Sequence, residues 1–261
     1  MYFIDFHSHV YPEAIAPKAA DSIREFYHLG NDAMDGRVET LLSQGTKAGI
    51  DKFVILPVAL RPSRTRHIND FILEEVAKQP RFFGYGTIHA GMENVCGEVE
   101  YIMEKGLRGL KMHPDSQVFA IDDPRLFPVY DMIEDKLPIM FHMGDPRFDY
   151  SHPKRLRKVL DLFPKLQVIA AHFGGYSMHE IAEEELKGKD CFFDVSSSLM
   201  FMEEGVAERY INKYGAERFV YGSDFPMWDP VVEMERFMRL KITDTQKEQI
   251  AHITAERILG I

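Results

Sequence analysis

The chain has 261 residues, 45% hydrophobic and 28% charged, enough apolar material for a sizeable core under a charged surface. Its net charge of -10 argues against sequence-independent binding to nucleic acid or to an anionic membrane, and its longest apolar runs, such as Phe53–Leu60, are far too short to span a bilayer. Cys96 and Cys191 stand far apart in apolar surroundings, and no basic stretch precedes the first apolar run, so a reducing, cytoplasmic setting without a secretory signal is expected.

The first run, Tyr2–Val10, is rich in aromatic and branched residues and reads as a buried strand. Side chains on a strand alternate faces, which places Asp5, His7 and His9 on one side. Two imidazoles on one face can grip a single ion, or can equally be core residues bonded to backbone. The segment Tyr11–Gly36 carries two prolines and scattered charge, with helix-tolerant stretches at Ala14–Ala20 and Ile23–Phe26. An insertion directly after a ligand-bearing strand is where a lid or a substrate loop would sit.

From Arg37 the chain alternates. Helices are expected at Arg37–Ala48, Ile68–Lys78, Asn94–Lys105, Pro124–Asp135, Pro153–Leu162, Ser177–Leu186, Glu203–Tyr214 and Asp229–Leu240. Strands are expected at Lys52–Leu60, Phe82–His89, Leu107–His113, Pro138–His142, Gln167–His172, Cys191–Ser196 and Arg218–Asp224. A further C-terminal helix starts at a capping box of Thr243 and Gln246, with Ile250, Ile253 and Ile258 on its apolar side. Continuous apolar strands separated by amphipathic helices imply a parallel sheet covered on its faces. Eight such units in this length predict an α/β fold, a (β/α)8 TIM barrel forming a single domain over 1–261 with an extra C-terminal helix. A doubly wound open sheet is the rival, weakened by the lack of a glycine-rich turn after the first strand.

In such a barrel the C-terminal strand ends converge on one mouth. Those ends carry His7 and His9, His89, Lys111 and His113, His142, His172, and Asp224. Six of the 11 histidines in the chain fall there, a sorting that scattered core histidines would not show. Imidazole nitrogens with one carboxylate suit a divalent ion, zinc first, with manganese, iron or cobalt as other choices. Such an ion lowers the pKa of a bound water to about 7, and a nearby carboxylate can accept the proton.

The runs Ile4–His9, Gly109–Pro114, Pro138–Gly144, Ala171–Gly175, Gly222–Pro226 and Thr254–Leu259 resemble the amidohydrolase superfamily. The resemblance is to its branch of small metal-dependent hydrolases and decarboxylases related to aminocarboxymuconate semialdehyde decarboxylase. It extends over nearly the whole chain. It implies one metal held by His7, His9, His142 and Asp224, with His172 orienting or deprotonating the water and Asp224 also accepting a proton. In binuclear members a carboxylated lysine bridges two metals, so a second metal on Lys111 is the alternative. One metal is the expectation, because mononuclear relatives share the Gly-x-Lys-x-His-Pro pattern, where the lysine serves a substrate carboxylate or an ion pair.

Lys111, His113 and Arg61 are the candidate substrate contacts. Arg64 and Arg66 lie in the same loop as Arg61; a guanidinium pairs carboxylates bidentately, against the plainer reading of a solvated loop. Asp145, Arg147 and Trp228 are further candidates, while His179 is expected at a helix surface or in packing. The resulting expectation is a hydrolase of an amide, lactone or ester of a small, carboxylate-bearing substrate, acting through hydroxide generated at the ion. The alternatives are a non-oxidative decarboxylase of an unsaturated or aromatic acid and a metal-free barrel without catalysis. A homodimer is the default assembly.

Overall fold

A computed structural model describes residues 1–28 and 34–261. The expected segment Tyr11–Gly36 therefore lies in part, at 29–33, outside the described residues. The strands in chain order are β1 Ile4–Ser8, β2 Lys52–Ile55, β3 Phe82–Gly84, β4 Gly86–Thr87, β5 Leu110–Met112, β6 Ile139–Phe141, β7 Val168–Ala170, β8 Phe192–Asp194 and β9 Phe219–Val220. The helices are α1 Ala16–Tyr27, α2 Val38–Ala48, α3 Thr65–Lys78, α4 Val95–Glu104, α5 Pro114–Gln117, α6 Phe127–Ile133, α7 Pro153–Leu162, α8 His179–Glu185, α9 Val206–Tyr214, α10 Pro230–Met238, α11 Asp244–Glu248 and α12 Thr254–Leu259. The chain packs as two compact units, Met1–Leu56 with Val195–Ile261, and Pro57–Asp194.

In the first unit β1 pairs parallel with β2, with an irregular register between Asp5 and Ser8. On its other edge β1 meets the end of the chain's last strand. The Phe6 N–H donates to the Tyr221 carbonyl at 2.8 Å, the Asp224 N–H to the His7 carbonyl at 2.7 Å, and the His9 N–H to the Phe225 carbonyl at 2.6 Å. The first and last strands of the sequence are therefore neighbours. Gly222 permits this approach, since a Cβ there would lie 2.8 Å from the His7 Cβ. Ile4, Phe6, Phe53, Val54, Ile55, Val220, Tyr221 and Phe237 are fully buried, each apolar side chain contributing about 1.5–3 kcal/mol of burial free energy.

The C-terminal segment docks on this unit. The expected capping box at Thr243 and Gln246 forms. The helix is continuous but widens to a π turn over Gln249–Ile253 between α11 and α12. Within that turn the Ile250 carbonyl accepts the Tyr221 N–H at 2.9 Å, tying the tail to the segment that leads from β9 to Asp224. The Tyr11–Gly36 stretch is more regular than expected, because α1 runs 12 residues with Pro17 in its first turn, where a missing N–H does no harm.

In the second unit β4, β5, β6, β7 and β8 form a parallel ladder in which each strand pairs with the next. The expected strand Phe82–His89 is split into β3 and β4 around Tyr85. Strands β5, β6 and β7 are buried throughout, which is why they read as unbroken apolar runs. The expected Lys52–Leu60 strand stops at Ile55, just short of Pro57, which has no N–H to give the ladder. No described helix is long and apolar enough to cross a membrane.

Candidate metal centre

His7 sits inside β1 and His9 one residue beyond it. Their Nε2 atoms are 3.1 Å apart. Asp224 Oδ1 lies 3.4 Å from His7 Nε2 and 3.6 Å from His9 Nε2. All three side chains are buried. Three donors held about 2.1 Å from one tetrahedral ion would lie about 3.4 Å from each other, so the triangle fits a first-row divalent cation.

The far side of each ring fixes its orientation. His9 Nδ1 is 2.6 Å from the Leu56 carbonyl, an acceptor, so Nδ1 carries the proton and the Nε2 lone pair faces the triangle. His7 Nδ1 is 3.2 Å from Ser196 Oγ, which accepts its proton in the matching tautomer. Asp5 shares β1 with His7, but its carboxylate is committed to other donors. Its carboxylate accepts the His7 N–H at 3.1 Å, the Ser8 hydroxyl at 3.0 Å, and the Ser223 N–H at 2.9 Å and hydroxyl at 2.5 Å. It thereby clamps β1 to the turn before Asp224. Burial pushes the Asp5 carboxyl up to about 6, against the lowering effect of those bonds.

Asp224 is gripped on its other oxygen. The Ser197 hydroxyl donates to Asp224 Oδ2, and the Trp228 indole N–H donates to Ser197 Oγ at 2.8 Å. Phe201 stands edge-on to Trp228, with ring centroids 6.0 Å apart. Desolvation, and then the Asp224 charge, raise the Tyr11 phenol above its ordinary value. Ser196, Ser197 and Asp5 escape a search for ligands in the sequence, because serines and a strand aspartate carry no motif of their own.

The second unit gathers the other expected residues. His142 follows β6 and His172 follows β7, with His172 Nε2 3.1 Å from His142 Nδ1. His172 has φ 59, Phe173 φ 53 and Gly174 φ 79, a left-handed run that turns the chain sharply after β7. Asp194 Oδ1 accepts the His172 backbone N–H at 2.9 Å. His179 is half-buried and takes the packing role of its two expected ones: its ring bonds the His172 carbonyl, and burial lowers its pKa to about 4. The loops after β6 and β7 touch at Gly144 and Gly175, where a Cβ on Gly144 would lie 2.5 Å from the Gly175 Cα.

Lys111 lies in the middle of β5 and is buried. His113 is half-buried, caps α5 and stacks on His142 with centroids 3.9 Å apart and 6° between the planes. His113, Asp115 and His142 also bring three donor atoms together. Parallel stacked rings aim their in-plane lone pairs side by side, however, so this group suits a single ion less well than the first. Asp115 accepts both the N–H and the hydroxyl of Ser151, and burial, then the charge of Asp145, raise its carboxyl to about 6. His89 packs against Phe119 and accepts the Gly91 N–H at 3.0 Å.

The arginines divide. Arg61 and Arg64 are exposed. Arg66 reaches buried Glu98 with its Nε 3.0 Å from Oε2 and lies 3.6 Å over the Tyr101 ring, so it is a structural ion pair rather than a free anion binder. Arg147 pairs with Asp145 two residues before it.

The model of the amidohydrolase family matches residues 4–261. This chain belongs to the amidohydrolase family. Family membership makes it a metal-dependent enzyme. No curated protein matches it. Among solved structures it is similar to an uncharacterized TIM-barrel protein from Bordetella bronchiseptica, with a TM-score of 0.84 at 22% identity over 100% of this chain and 99% of that one. The 5-carboxyvanillate decarboxylase LigW from Sphingomonas paucimobilis is similar at a TM-score of 0.73 and 18% identity, covering 100% and 99% of the two chains. A dihydroxybenzoic acid decarboxylase from Polaromonas sp. JS666, solved with manganese and 2-nitroresorcinol, gives 0.76 and 18% over 99% and 96%. These likenesses establish the α/β TIM-barrel fold.

Proposed function

We propose that this member of the amidohydrolase family is a metal-dependent, non-oxidative decarboxylase of an aromatic or unsaturated carboxylic acid. The observation that carries the reading is the His7–His9–Asp224 triangle with the Trp228–Phe201 aromatic pair tied to it through Ser197. A donor triangle for a divalent cation beside aromatic surface suits a flat acid that chelates metal. Support also comes from the similar folds of the 5-carboxyvanillate and dihydroxybenzoic acid decarboxylases.

His7, His9 and Asp224 are the ligands in this reading, with His142 the fourth, as the sequence resemblance implies. A divalent ion bound there supplies a Lewis acid for a substrate oxygen. Zinc and manganese both accept this donor set, and the Polaromonas relative was solved with manganese. The residues do the rest. Lys111 and His113 hold the substrate carboxylate, and Arg61 approaches it from the loop after β2. Decarboxylation breaks the bond from ring carbon to carboxylate, releases carbon dioxide and needs one proton at that carbon. Asp224 and His172 are the groups that carry it.

Hydrolysis, the reading the sequence placed first, would use the same ligands; it is the second choice here, supported by the family's description as amidohydrolase. The two differ in product. The test is carbon dioxide release from 5-carboxyvanillate and 2,6-dihydroxybenzoate by protein reconstituted with Mn2+ or Zn2+. We expect one carbon dioxide per acid consumed. Turnover of an ester or lactone panel with no carbon dioxide from any aromatic or unsaturated acid would return the assignment to hydrolase.

A further inference from the structure

We propose that Ser197 and Trp228 form a positioning relay that decides which oxygen of Asp224 faces the metal. The inference rests on the reading of Asp224 as a ligand and goes beyond it. The two carboxylate oxygens have different partners. Oδ1 lies 3.4 Å and 3.6 Å from the Nε2 atoms of His7 and His9, whereas Oδ2 accepts the Ser197 hydroxyl.

The polarity of the relay is fixed by chemistry. An indole N–H only donates and a carboxylate only accepts. Ser197 Oγ must therefore take the Trp228 proton, at 2.8 Å, and point its own proton at Asp224. A serine alone could swing its hydroxyl to any nearby acceptor; with the indole on one lone pair it has one direction left. Ser197 is buried, so solvent does not substitute for either bond.

The backbone carries the same message. Ser197 has φ 49 and Asp224 φ 57, so both ends of this bond sit in the left-handed region, which L residues avoid. Such strain persists where surrounding contacts over-determine it, and it concentrates at functional sites. Here the Asp224 N–H is bonded to the His7 carbonyl and its own carbonyl accepts the Met227 N–H at 2.9 Å. Locking Oδ2 keeps the carboxylate from turning both oxygens to the ion, which preserves a coordination position for substrate.

The test is titration of the full-length, metal-stripped chain with Mn2+, following free Mn2+ by electron paramagnetic resonance. Ser197→Ala should weaken the Mn2+ Kd by roughly 10-fold to 100-fold, the usual loss when a partner behind a ligand is removed. Trp228→Phe keeps a ring against Phe201 and removes only the donor; it should weaken binding by roughly threefold, the scale of one net hydrogen bond. Because the indole acts through the serine, adding Trp228→Phe to Ser197→Ala should change nothing further. An unaltered Kd in folded Ser197→Ala, or additive losses in the double variant, overturns the relay. Should Ser197→Ala fail to fold, an unaltered Kd in Trp228→Phe does the same. His7→Ala with His9→Ala is the reference: wild-type Mn2+ binding in that variant defeats the metal site itself, whereas its failure to bind beside an unaffected Ser197→Ala defeats the relay alone.

Discussion

His9 Nδ1 lies 2.6 Å from the carbonyl of Leu56, the residue that follows β2, and this contact turns the His9 Nε2 toward His7 and Asp224. One strand thus aims the ligand of its neighbour. The same device recurs at His7 with Ser196 and at Asp224 with Ser197. Each donor of the triangle has a partner behind it, the pattern expected of an ion site rather than of three core residues.

Chelation should destabilise the protein. A cation bound to the native state alone stabilises it by roughly 4 kcal/mol when present at 1,000 times its Kd. Differential scanning calorimetry of protein as loaded with Mn2+ or Zn2+, and of the same sample after exhaustive chelation, should show a fall of several degrees in Tm. Identical melting curves would mean that no tight site exists.

His172→Asn should keep the metal and lose most turnover. The residue has no place in the proposed ligand set but is proposed to handle a proton, a contribution of roughly 100-fold to 10,000-fold. Metal content and kcat measured on the same preparation check it. Loss of metal would make His172 a ligand, and unchanged kcat would make it a packing residue.

Arg66→Met should lower stability and leave substrate affinity alone. Glu98 is 4% exposed and would keep a buried carboxylate stripped of its cation, with Asn69 still donating to it at 2.8 Å. Leaving such a group unpaired costs about 3–5 kcal/mol. Thermal melts should show the loss, and KM should stay within about twofold of wild type, a change below about 0.5 kcal/mol. Arg61→Met is the contrast: it should raise KM without changing Tm.

Stability should fall with rising pH through Glu233. Burial raises its carboxyl from 4.5 to about 7, with the Arg236 guanidinium opposing and the Asp5 charge adding to the rise. Below pH 4.5 both folded and unfolded chains hold the proton and the contribution is complete. Between pH 4.5 and 7 the unfolded chain ionises first, so stability drops by roughly 3 kcal/mol and then levels off. In metal-free protein, Glu233→Gln should reduce that slope in urea melts, most clearly between pH 6 and 7, above the range where Asp5 and Asp115, both raised to about 6, add their own share. Parallel slopes for variant and wild type would contradict it.

The strands were legible because burial on both faces leaves long apolar runs; Ile139–Phe141 and Val168–Ala170 read as they fold. Their ends were not. Ladders stop where hydrogen-bond partners stop, at Pro57 or around Tyr85, and residue type reports that poorly. His7, His9 and Asp224 were legible as ligand types at strand ends, and the structure brings those three together. The residues behind them were hidden. Ser197 and Asp194 matter through hydrogen bonds to residues distant in the chain or to a neighbouring loop, and nothing in a serine or an aspartate announces which distant atom it meets. His179 was left between surface and packing because its sequence neighbours do not show that its ring turns back to the His172 backbone. Arg66 was grouped with its loop neighbours because Glu98 stands 32 positions away in the chain.

The central claim is that His7, His9 and Asp224 hold a catalytic divalent cation. The most direct test is elemental analysis by inductively coupled plasma mass spectrometry of the purified wild type and of the His7→Ala, His9→Ala double variant, with circular dichroism to confirm that both are folded. The account predicts about one equivalent of a first-row divalent metal in the wild type and none in the folded double variant. A folded double variant that retains a full equivalent would contradict it.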